Sequence, residues 1–202
     1  MHCAAPHDGD FRPGAQRRGR RGAIALWLAL LLVLFAGVPA ARAAEPELTT
    51  FEVVHNEDGL FLSYAVNLEL SRSVDDALSK AVPLFFVAEA EVFRNRFYWR
   101  DQRVGYAVRR WRIVFQPLTS TYRVTFDGGL SQNYASRAEA FAAISRSARW
   151  KIAEAPQIDE SSRHYVEFSF RLDTSPLPRP RQSGIGGQAD WALSVQRTQK
   201  IN

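Results

Sequence analysis

Residues 94–123 read RNRFYWRDQRVGYAVRRWRIVFQPLTSTYR. Two runs rich in Val, Ile, Phe, Tyr and Trp are broken once, at Gln116-Pro117-Leu118-Thr119-Ser120, which is the pattern of an antiparallel β-hairpin. The same thirty positions hold eight arginines against one acid, Asp101. Within the strand Arg103–Phe115, Val104, Tyr106 and Val108 share one parity, whereas Trp111, Ile113 and Phe115 share the other. A β-bulge at Arg109-Arg110 is therefore expected to return both sets to one core.

Upstream, Leu60, Leu62, Tyr64, Val66, Leu68 and Leu70 alternate with Ser63, Asn67 and Glu69, a half-buried strand by its period of two. Thr49–His55 is its expected hairpin partner through Asn56-Glu57-Asp58-Gly59. Ser73-Val74-Asp75-Asp76 predicts a short helix that Pro83 stops, and Leu84–Trp99 predicts a long strand. Downstream, Tyr122, Val124 and Phe126 continue the strand pattern, and Asp127-Gly128-Gly129 is a turn. Ser136-Arg137-Ala138-Glu139 is a capping box that opens a second helix. Trp150–Ala153, His164–Leu172 and Ala189–Gln196 are the remaining strands. The expected fold is mainly β, an antiparallel β-sandwich with two short helices. Two strands, a helix and two strands recur in each half, a pattern that an internal duplication into two similar halves and a coincidence of common capping boxes would equally produce.

Residues 1–43 read differently from the rest. A basic stretch ending in Arg17-Arg18-Gly19-Arg20-Arg21 precedes Ala23–Val38, which is apolar, uncharged and shorter than the ~20 residues a spanning helix needs. Ala41-Arg42-Ala43 supplies small residues at the positions a signal peptidase reads. The expectation is a signal peptide over 1–43, cleavage after Ala43 and a single exported periplasmic domain over 44–202. An uncleaved membrane anchor is the alternative.

That division changes the charge argument. The chain holds 26 Lys and Arg against 21 Asp and Glu, yet residues 44–202 keep 20 and 19 of them, so the basic pI of about 9.7 belongs mostly to the leader. It gives no support to nucleic-acid binding. The sole cysteine, Cys3, also lies in the leader, which leaves packing to stabilise the domain. Charge is segregated: residues 44–93 are strongly acidic and 94–123 strongly basic. Neighbouring acidic and basic strands would neutralise one another by cross-strand pairs. The sharper alternative is an outward arginine band that meets a lipid head group, a cell-wall polymer or an acidic protein surface. Between the last two strands, residues 175–188 are rich in Pro and Gly and read as a spacer.

No catalytic constellation is evident. The exported part has two histidines, His55 and His164, without metal-ligand spacing, and no nucleophile elbow. No cofactor or metal is expected. His164 shares the core parity of its strand and reads as structural. Glu89 and Glu91 point to one side of a strand and are the best carboxylate pair for acid–base work on a glycan. They also have Arg94 and Arg96 nearby for simple ion pairing. The partner-binding residues expected from this pattern are Arg94, Arg96, Tyr98, Trp99 and Arg103, around the bend at Asp101-Gln102.

Leu84-Phe85-Phe86, the run RNRFYWRD from Arg94 to Asp101, and Trp111-x-Ile113-x-Phe115-x-x-Leu118-Thr119-x-x-Tyr122 also carry a family resemblance. Together with the leader they resemble an uncharacterised family of proteobacterial exported proteins, the domain-of-unknown-function family numbered 4390. Its members are sometimes labelled proline-rich signal peptide proteins. The resemblance covers most of 51–172 and transfers no catalytic residue. It implies gene neighbourhood with a membrane sensor kinase of the nitrogen-regulation type. The expected function is a non-enzymatic periplasmic binding or accessory module contacting an anionic or acidic envelope partner, a sensor kinase among the candidates. A structural envelope protein without a dedicated ligand and a glycan-active enzyme are the alternatives.

Overall fold

In the computed structural model the described residues are 46–98, 100–159, 161–177 and 191–201. The leader, Trp99 and most of the Pro/Gly-rich segment lie outside them.

Among the described residues nine strands form two antiparallel sheets. β1 (Glu47–Asn56) and β2 (Gly59–Asn67) make the first hairpin, and β7 (Arg146–Glu154) adds to β2, giving a three-stranded sheet ordered β1-β2-β7. β3 (Leu84–Arg94), β4 (Gln102–Gln116), β5 (Thr121–Phe126), β6 (Ser131–Tyr134), β8 (His164–Leu172) and β9 (Ser194–Ile201) form a six-stranded sheet ordered β6-β5-β4-β3-β8-β9. Strands spaced ~4.8 Å apart make the smaller sheet about half as wide as the larger. Two helices, α1 (Arg72–Ser79) and α2 (Arg137–Ser145), fill the remainder of the interior with Val74, Leu78, Ala140, Phe141 and Ile144. Their starts are tied together by Arg137 and Asp75.

The β-sandwich therefore forms as the alternation predicts. The inward set of β2 is Leu60, Leu62, Tyr64 and Val66, and that of β8 is Val166, Phe168, Phe170 and Leu172, all buried. The rings interlock: Tyr64 lies 4.7 Å from Phe168, and Phe86 meets Phe170 and Phe141 at 5.8 Å each. Each such pair adds ~0.5–1.5 kcal/mol beyond burial.

Several local expectations are corrected. The cap of α1 is Ser71, whose Oγ accepts from the Val74 N–H, so the helix starts before Ser73. The capping box at Ser136 and Glu139 forms as expected. β3 stops at Arg94 rather than Trp99, because the chain leaves the sheet to make a loop. The last strand begins at Ser194 and runs to Ile201, past the predicted end at Gln196. Two strands, a helix and two strands do recur, with β9 added to the second half, but sheet placement does not repeat, since β7 alone of the second half joins the smaller sheet.

The bulge is displaced too. Ala88 pairs with Arg109 and Val87 with Arg110 without interruption, and the register shifts instead between Gly105 and Arg103, at Val104. Arg109 remains on the inner face because it finds partners there. Its Nη1 donates to Ser147 Oγ at 2.7 Å, and its guanidinium lies 5.1 Å from the Trp150 ring centroid. With no need to expel Arg109, Tyr106 and Val108 turn to the opposite side of the sheet. At Gly105 the larger sheet lies close against β7: a Cβ there would meet the Ala153 Cβ and the Ile152 carbonyl oxygen at 2.8 Å each.

Candidate functional site

The inner face of the six-stranded sheet is covered, whereas among the described residues no helix or strand is packed over the outer face, which Asp173 and Pro176 of the loop after β8 border beside Val87, Arg110 and Arg112. Alternation places on that outer face Glu89 and Glu91 of β3, Arg103, Tyr106, Arg110 and Arg112 of β4, Arg123 of β5, and Glu167 and Arg171 of β8. The face is zoned by charge.

Towards the β3–β4 loop, the acids are paired. Arg171 Nη1 donates to Glu89 Oε2 at 2.5 Å, and Tyr106 Oη donates to Glu89 Oε1 at 3.4 Å. Arg103 Nη1 donates to Glu91 Oε1 at 2.6 Å and also stands 5.1 Å from the Tyr106 ring centroid. The guanidinium of Arg171 holds the Glu89 carboxyl below the usual carboxylate range, and Glu89 in turn raises Arg171. Glu91 sits directly opposite Glu167, a like-charge pair that Arg103 offsets. With Gln196 and Thr198 these acids line a cleft of about 310 Å³. A general acid needs a raised carboxyl pKa. Glu89 is displaced the opposite way, and each of the two carboxylates is ion-paired with an arginine. Among the described residues no group of three or more His, Cys, Asp or Glu is placed to hold a metal ion.

Farther along β4 the arginines have few partners. Arg110 and Arg112 are exposed two residues apart, and Arg123 lies diagonal to Arg112 across β5. Asp127 is 4.0 Å from Arg110, Arg123 donates to the Asn133 amide oxygen at 3.1 Å, and Arg112 has no described carboxylate partner. Beneath them Val87, although it points outward, is only 3 % exposed. Its cross-strand neighbours are Arg110 and Arg171, whose apolar stems suit that cover. Sequence reasoning grouped these arginines with the band but did not select Arg110, Arg112 and Arg123. Their common parity on a neighbouring strand pair is the signal that identifies them.

The residues expected to bind a partner fall in three places. Arg103 is on the outer face in its ion pair. Arg94 ends β3 on the inner parity, opposite His164, with its Nε buried and without a described partner. Arg96 and Tyr98 are exposed on the β3–β4 loop, and Trp99 lies outside the described residues. The loop is braced: the Arg96 N–H donates to Asp101 Oδ1 at 3.1 Å, Tyr165 Oη donates to Asp101 Oδ2 at 2.9 Å, and the Arg96 guanidinium reaches Gln102. Phe97, not selected from sequence, stands beside Tyr98 with the two rings 4.6 Å apart.

His164 is structural by its contacts. It is buried at 4 % exposure, and its Nδ1 lies 3.0 Å from the Ser162 carbonyl oxygen, which requires a proton on Nδ1. Burial, with Arg94 nearby, pushes its pKa below the ordinary value.

A family model described as domain of unknown function (DUF4390) matches residues 43–201. No curated protein and no solved structure matches the chain.

Proposed function

We propose that this chain, which belongs to the DUF4390 family, is a non-enzymatic binding or accessory module of the periplasm that meets an anionic or acidic envelope partner with the open face of its larger sheet. One observation carries the reading: Arg110, Arg112 and Arg123 stand together, exposed, on a sheet face that no described element covers. Three planar guanidiniums projecting from one sheet face suit carboxylate or phosphate groups. The paired zone around Glu89 and Glu91 supplies structure and sets the edge of the basic patch. An acidic extracytoplasmic domain, such as that of a sensor, and an anionic envelope polymer both fit this chemistry.

The test is crosslinking in the periplasm followed by mass spectrometry. An Arg110→Glu, Arg112→Glu, Arg123→Glu triple variant is expected to lose the crosslinked partner with an unchanged thermal transition. The same partners in the same yield would overturn the assignment of the surface.

A further inference from the structure

We propose that the β3–β4 loop docks the domain on an anionic lipid surface, with Phe97 and Tyr98 entering the headgroup layer and Arg96 and Arg100 pairing with lipid phosphates. The inference rests on the envelope placement above but not on the sheet-face partner.

Phe97 and Tyr98 are 88 % and 86 % exposed, and they pack edge-to-face on each other. Each aromatic ring carries 150–250 Å² of surface that gains by leaving water. Both follow directly from Arg96, and Arg100 closes the tip, so apolar rings are flanked by cations. That arrangement matches the bilayer interface, where aromatic rings sit at headgroup depth and basic residues contact phosphates.

The loop carries one acid, Asp101, and both of its carboxylate oxygens are occupied by donors from the fold, the Arg96 N–H and the Tyr165 hydroxyl. Neither flanking arginine has a described carboxylate partner, and the positive charge remains available. The base of the loop is held by the fold. The Asn95 N–H donates to the Arg163 carbonyl oxygen at 2.9 Å, and Phe93 stacks on Tyr165 at 5.2 Å and 17°. The base therefore need not be ordered on docking. Rings this exposed would need a pocket in a protein partner, whereas a headgroup layer closes around them without one.

The experiment is vesicle flotation of protein purified from cells expressing the full chain. Vesicles of phosphatidylglycerol with phosphatidylethanolamine are compared with phosphatidylcholine alone, and a soluble acidic polypeptide serves as competitor. The parent is expected to float with the anionic vesicles only. Phe97→Ser with Tyr98→Ser should lower partitioning at least about tenfold, the factor that 1.4 kcal/mol represents. Arg96→Gln with Arg100→Gln should abolish the preference for anionic lipid. Leu118→Ser, an exposed apolar residue beyond the far end of the fifteen-residue β4, some 45 Å away by strand rise, should change nothing. Retained residues of the leader would add the same background to every variant, so the differences read the loop. Each variant is checked for an unchanged thermal transition. No flotation of the parent, no effect of the aromatic substitutions, an equal effect of Leu118→Ser, or full displacement by the acidic polypeptide would each overturn the proposal. The crosslinking result for the triple arginine variant is independent of all four.

Discussion

Arg171 and Glu89 are 82 residues apart in sequence, yet β8 and β3 bring the Arg171 guanidinium to 2.5 Å from the Glu89 carboxylate on the outer face of the larger sheet. The pair joins the acidic first third of the domain to a basic residue of its last third.

Because the folded state holds Glu89 below its ordinary pKa, the pair's contribution is fully present above about pH 4.5 and is lost as the pH falls through the lower folded value. Both side chains are partly exposed, so a double-mutant cycle with Glu89→Gln and Arg171→Gln is expected to give a coupling of about 0.5–1 kcal/mol. Urea unfolding at pH 7 and at pH 3 measures it. Coupling that does not fall at all as the pH is lowered from 7 would show that the carboxylate charge is not its source.

His164 titrates in another window. Its folded pKa lies below the unfolded value, so the stability owed to a neutral ring is present above about pH 6.5 and declines as the pH falls below it. His164→Asn keeps a short polar side chain and removes the titration. The fall in melting temperature between pH 7 and pH 5 should be shallower in that variant, and an identical slope would assign the acid sensitivity elsewhere.

Gly105 is required by close approach. A methyl group there meets the Ala153 Cβ and the Ile152 carbonyl oxygen at 2.8 Å, with backbone on one side and core on the other. Gly105→Ala is expected to cost about 1–3 kcal/mol in chemical denaturation, as overpacking does. An unchanged midpoint would mean that β4 and β7 separate freely.

Tyr64 presents the opposite case. Its hydroxyl is buried among aromatic rings and has no described hydrogen-bond partner, and burial raises its pKa so that it stays neutral. Tyr64→Phe removes an unpaired polar atom and should leave stability unchanged or raise it by up to about 1 kcal/mol. Phe168→Ala, beside it, should lose about 3–5 kcal/mol. A marked loss in Tyr64→Phe would reveal a partner for the hydroxyl, with Arg109 the nearest cation in electrostatic reach.

Where a strand has one wet and one dry side, its period states the answer: β2 and β8 were legible residue by residue. β4 was not, because it carries apolar residues on both parities. The period cannot say whether Tyr106 and Val108 belong to the core or to an open face. Arg109 misled for the same reason, since a charged residue on the inner parity looks like a fault until Ser147 and Trp150, 38 and 41 positions away, are seen to receive it. Within the candidate site, the arginine content was plain in sequence. Its division into paired Arg103, edge-bound Arg94, loop-borne Arg96 and the sheet-face group was not.

The sequence by itself determined what depends on near neighbours: the alternation of β2 and β8, the capping box at Ser136, the turn at Asn56–Gly59 and the concentration of arginine in one hairpin. Those are short-range matters of side-chain direction, turn geometry and composition. Tertiary structure alone decided that β7 leaves its neighbours to complete the smaller sheet. Among the described residues that choice leaves one face of the larger sheet without a covering element, where some guanidiniums meet carboxylates and others are exposed. Pairing between strands far apart in the chain depends on how two sheets of unequal width share one core, and no local pattern encodes that.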